Sequence, residues 1–76
     1  MRSGVTIELA EAIRARREEL GWSQRQLAER AGITQPGVAR FEAGGTTPTL
    51  PLLERLAGAL GLTVTISLAP TERRSA

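Results

Sequence analysis

Seventy-six residues without cysteine or histidine make one small domain that neither disulfides nor a Cys/His metal site can staple. The net charge is +2, every basic residue is arginine, and lysine, aspartate and tyrosine are absent. Glutamates among arginines are then the only acid–base candidates, which argues against an enzyme and against any cofactor or metal.

Stability must come from packed helices, good caps or a partner subunit. Arginine in place of lysine reads first as codon usage, yet it supplies a rigid fork of donors suited to phosphates and guanine edges. An isoelectric point near 11 reflects arginine's high pKa rather than a large excess of charge. The balance permits nucleic-acid binding without demanding it. No run is apolar and long enough to span a membrane, and the N-terminus lacks a signal-peptide core, so a soluble cytoplasmic protein is expected.

The first helix is predicted over residues 8–20, "ELAEAIRARREEL". Leu9, Ala12, Ile13, Arg16 and Leu20 recur there at helical spacing, and Gly21 is the stop. Its charged stretch "RARREE" reads as a solvated face with pairs such as Arg14–Glu18. A second helix, Gln24–Ala31, opens on Ser23 as N-cap, with Gln26 completing a capping box. Trp22 before the cap and Leu27 inside the helix suit a hydrophobic staple, a better reading of Trp22 than a base-stacking platform.

The stretch "TQPGVARFEAGG" looks like a turn but reads as a third helix, Gln35–Ala43. Thr34 is its N-cap, and Pro36 falls in the first turn, where a missing N–H costs little. Gly37 suits a close backbone approach. After Gly44 and Gly45 a polar connector leads to Thr49, the N-cap of a fourth helix in "LPLLERLAGALG". Leu53, Leu56, Ala57 and Leu60 form that helix's apolar face.

Residues 62–68, "LTVTISL", change period from helical to two. Leu62, Val64, Ile66 and Leu68 alternate with small polar residues, the pattern of a strand. The rest, 69–76, reads as a tail, with "ERR" at 72–74 either trailing along DNA or keeping the tail soluble. A lone strand leaves its backbone groups unpaired and an apolar face uncovered. Antiparallel pairing with the same strand of a second chain answers both needs. Pairing with "VTI" at 5–7 is the alternative within one chain, and a short fifth helix is a third reading. The fold class expected is all-α: a bundle of four to five elements over 1–61, followed by the strand.

Two short helices joined by the turn Gly32–Thr34 match the helix-turn-helix pattern. Leu27, Ala31, Ile33, Val38 and Phe41 form the shared seam, with small Ala28 allowing close packing. The segments "IRARREELGWSQRQLAERAGITQPGVARFEAG" and "PTLPLLERLAGALG" resemble the Cro/CI-type helix-turn-helix domain of the XRE family over Ile13–Leu60. That resemblance implies a homodimeric, sequence-specific repressor of double-stranded DNA, or an antitoxin of HipB-like or HigA-like type that also binds a toxin protein. It implies base contacts from Gln35, Pro36, Ala39 and Arg40, and phosphate contacts from Gln24, Arg25, Thr34, Thr46 and Thr47, with Gln24 also bracing the next helix. It also implies a buried structural ion pair between Arg17 and Glu42, and a place beside nucleoid DNA in the cytoplasm. The Pro-Gly pair and the connector "GGTTPT" depart from the family pattern, leaving few side chains for bases and no cations for the backbone.

Overall fold

A computed structural model describes residues 4–71 as four helices with no strand: α1 (Gly4–Glu19), α2 (Gln24–Ala31), α3 (Gln35–Glu42) and α4 (Leu50–Ala59). Local chemistry sets the boundaries. The Ser23 hydroxyl accepts from the Gln26 N–H at 3.0 Å, and the Gln26 side chain accepts from the Ser23 N–H at 2.8 Å, a reciprocal capping box. Thr34 and Thr49 cap α3 and α4 by accepting from the Gly37 and Leu52 N–H groups at 3.1 and 3.3 Å. Pro36 and Pro51 sit in the first turns, where no intrahelical donor is needed.

Gly32 ends α2 in the left-handed conformation (φ 71°), and the next N–H, of Ile33, returns to the Ala28 carbonyl at 3.0 Å. The close approach at Gly37 is to its own helix cap: a Cβ there would stand 3.1 Å from the Thr34 hydroxyl. Glycine thus keeps room for the cap that starts α3.

Ala10 and Ile13 of α1, Leu27, Ala28 and Ala31 of α2, Val38 and Phe41 of α3, and Leu53, Leu56 and Leu60 at α4 form the core. α2 packs on both α3 and α4, while α1 lies against α3. Leu27 and Leu56 are fully enclosed, a burial that contributes roughly 1.5–3 kcal/mol for each such side chain. Two arginines tie helix ends together: Arg16 Nε donates to the Leu60 carbonyl at 3.1 Å, and Arg55 Nη1 to that of Gly32 at 3.3 Å.

Three expectations change. α1 begins at Gly4, so Val5, Thr6 and Ile7 are helical and cannot pair with 62–68. Three alternating residues hold no period of their own against a helix that extends through them. Leu20 lies past the end of α1 and is exposed, as is Ala12; the buried face centres on Ala10 and Ile13. α3 closes at Glu42, with Ala43 as its cap.

Residues 62–71 form neither strand nor fifth helix. A strand exists only where a second one supplies its ladder, and no described segment of the same chain does so. The Leu62 N–H donates to the Ala57 carbonyl at 2.8 Å and Val64 packs on the core, while Ile66 and Leu68 are 64% and 94% exposed. Residues 1–3 and the "ERR" of 72–74 lie outside the described region.

Candidate nucleic-acid interface

Burying Val38 and Phe41 fixes the rotation of α3. With those two inward, Pro36, Ala39, Arg40 and Ala43 fall on the opposite side, and Gln35 stands at the flank beside α2. Pro36, Arg40, Ala43 and Gln35 are exposed and Ala39 is half-buried. Ala43 is the one residue of this face without a signal in the sequence, being a small C-cap residue directly before the Gly44–Gly45 stop.

Behind the face, four side chains form a continuous hydrogen-bonded chain. Arg17 Nε donates to Glu42 Oε2 at 2.8 Å and Nη2 to Oε1 at 3.0 Å, while Nη1 reaches the Trp22 carbonyl at 2.6 Å. The Glu42 hydrogen bond raises the Arg17 pKa above its ordinary value, against the opposing effect of burial. Gln24 Nε2 donates to Glu42 Oε1, and Gln35 Nε2 to Gln24 Oε1, each at 3.1 Å. The pair holds α1 to α3, and the two glutamines hold α2 to α3.

The cations are mostly committed. Between residues 4 and 71 seven arginines balance seven glutamates, so the described region carries no net charge. Arg14 pairs with Glu18 at 3.3 Å, Arg25 with Glu29 at 3.7 Å, and Arg16 with Glu19 at 3.3 Å besides its carbonyl contact. The Arg30 guanidinium lies 4.3 Å from the centre of the Trp22 ring, a cation–π contact. Among the described residues only Arg40 has neither an acceptor nor a ring against it. That one free fork stands on the outward face of α3.

The helix-turn-helix family of known domains matches residues 13–66, from the middle of α1 through α4 and into the extended segment. This chain belongs to that family. An uncharacterized HTH-type transcriptional regulator of Haemophilus influenzae is 39% identical over 64 residues, which are 84% of this chain. The chain spans 65% of that relative's length. Antitoxin HipB of Escherichia coli is 32% identical over 59 residues, covering 78% of this chain and 67% of HipB. A chain of the solved HipA-HipB-O2-O3 complex superposes with a TM-score of 0.74 at 27% identity, over 92% of this chain and 99% of that one.

In this helix-turn-helix protein the residues expected at phosphates are dispersed. Gln24 is half-buried at the start of α2 and bonded to Glu42; Arg25 beside it is exposed. The Thr34 hydroxyl is occupied by the Gly37 N–H. Thr46 and Thr47 stand in the α3–α4 connector, half-buried and exposed respectively. Sequence reasoning expected Gln24 to brace α3 without naming Gln35 as its partner, and it missed the Arg30–Trp22 contact and the carbonyl bonds of Arg16 and Arg55. Arg16 was legible in part, since it falls in the series on the α1 face; Arg55 gave no signal, being one of several solvent-side charges.

Proposed function

We propose that this chain is a sequence-specific DNA-binding transcriptional regulator that acts as a dimeric repressor in the cytoplasm, on the nucleoid. α3 enters the major groove, where Gln35 reads adenine, Arg40 reads guanine, and Pro36 and Ala39 pack on thymine methyl groups. Gln24, Arg25, Thr34, Thr46 and Thr47 hold the phosphates. The observation that carries this reading is the unpaired Arg40 guanidinium on an outward face otherwise made of a glutamine and small apolar residues. The mechanism is occupancy of a promoter, without catalysis and without a cofactor.

The segment 62–68 pairs with its counterpart in a second copy. Two features support this. Its backbone has no ladder partner among the described residues, and its apolar residues border a groove of about 280 Å³ lined by Leu9, Ile13, Leu53, Ala57, Leu62 and Val64. A two-fold axis through this pair presents two α3 helices to half-sites about one DNA turn (~34 Å) apart. Similarity to antitoxin HipB favours a second role, binding and neutralising a toxin protein, which is compatible with the first.

Selection from a pool of random duplexes tests the reading. Enrichment of a near-palindrome with one-turn half-site spacing is expected; a pool that stays random through successive rounds contradicts it. Co-purification with the product of an adjacent gene tests the antitoxin role, and its absence leaves the plain regulator.

A further inference from the structure

Two amides stand between the Arg17–Glu42 pair and the exposed flank of α3. Gln24 donates to Glu42, and Gln35 donates to Gln24. An amide side chain keeps nearly the same shape when its oxygen and nitrogen are exchanged, so its partners alone decide which end points where. The partner at the head of this chain has no choice. A carboxylate held by a guanidinium accepts hydrogen bonds and donates none, and the Glu42 side chain is only 4% exposed. Gln24 must therefore turn its NH₂ to Glu42 and its oxygen to Gln35. Gln35 must then turn its own NH₂ to Gln24.

The direction set by one buried anion thus runs through two residues to the surface. One N–H of Gln35 is committed to Gln24; the second N–H and the amide oxygen remain for a ligand on an exposed residue. One donor beside one acceptor fits adenine, which offers N7 as acceptor and N6–H as donor. Guanine offers two acceptors, N7 and O6, and would face the amide oxygen with another oxygen. A glutamine free to turn could also offer its N–H groups to guanine N7 and O6, which weakens that distinction.

We infer that Glu42, although it faces into the protein, sets the preference of Gln35 for adenine over guanine by fixing the direction of the hydrogen bonds through Gln24. Glu42 and Gln24 are positioning residues for base readout, in addition to what they contribute to the fold. The inference rests on the DNA-binding reading above.

The test uses the full chain and pairs of duplexes that differ by A·T or G·C at one operator position, the one where Gln35→Ala abolishes the adenine preference. Gln24→Met keeps the length of the side chain and removes both of its hydrogen bonds. Glu42→Gln keeps the size of Glu42 but can present either end of an amide to Gln24. Thermal melting shows which variants are folded, and Gln24→Met carries the test if Glu42→Gln is not. Wild type is expected to prefer adenine by roughly fivefold to a hundredfold, and the folded relay variants to bind the two duplexes nearly equally. A purely structural or phosphate-holding Gln24 would weaken both duplexes by the same factor and leave the preference intact, which overturns the inference. A wild type that prefers no duplex over scrambled DNA overturns the underlying DNA reading as well.

Discussion

Arg17 and Glu42, 25 positions apart, meet in a two-point contact of 2.8 and 3.0 Å with side chains only 12% and 4% exposed. The bond joins α1 to the C-terminal turn of α3 and so fixes the two helices against each other at that point. Arg17 Nη1 adds the Trp22 carbonyl at 2.6 Å, and no buried side-chain polar atom among the described residues is left without a partner. Its raised pKa stabilises the fold fully below arginine's ordinary pKa, and that stability is lost as pH rises through the folded value. The contact therefore operates throughout the neutral range.

Glu42→Ala leaves the guanidinium enclosed without its carboxylate. A loss of about 3–5 kcal/mol is expected, a large part of the roughly 4–11 kcal/mol available to a domain of this size. Urea unfolding followed by circular dichroism measures it. A loss under about 1 kcal/mol would show that the pair is solvated rather than structural.

Ser23→Ala removes the hydroxyl half of the capping box at α2 and leaves the Ser23 N–H free to donate to the Gln26 side chain. The expected cost is about 1 kcal/mol, read as a lower melting temperature. Ser23→Gly should cost less, since glycine tolerates the cap position. Equal losses for the two would point to a role of Ser23 other than capping.

Gln35→Ala and Arg40→Ala remove exposed side chains that make no core contact, so melting temperatures should stay close to wild type. Each should weaken specific DNA binding by roughly 1–3 kcal/mol. For Arg40 the loss should concentrate on duplexes that keep the guanine. Unchanged affinity in both variants would move base reading away from α3.

Ile66→Asp is a cleaner probe of the pairing segment than Val64→Asp, because Val64 also packs on the core of its own chain. Ile66 is 64% exposed in the single chain, so folding should change by no more than about 0.5 kcal/mol. Sedimentation velocity should then report monomers where wild type gives dimers. Dimers that persist would locate the interface elsewhere.

Much of this was legible in the sequence because it depends on local chemistry. Ser23, Thr34 and Thr49 mark helix starts by their own hydroxyls, and α2 begins and ends where those signals fall. Gln35 and Arg40 could be assigned to an exposed face once Val38 and Phe41 were set inward. What depends on contacts between distant residues was not legible. The bond from Gln35 to Gln24 is made only after α2 and α3 pack, and Arg55 finds the Gly32 carbonyl 23 positions away. The N-terminal turn of α1 was missed for another reason: Val5-Thr6-Ile7 is β-prone in isolation, and the helix running on from Glu8 overrides it.

The most direct test of the account is fluorescence anisotropy of the protein on duplex from its own promoter, against scrambled competitor, across a range of salt. A described region with no net charge should gain little from counterion release, so binding should survive competitor and fall only shallowly with salt, at two subunits per site. Weak binding, equal on both duplexes and falling steeply with salt, would contradict it.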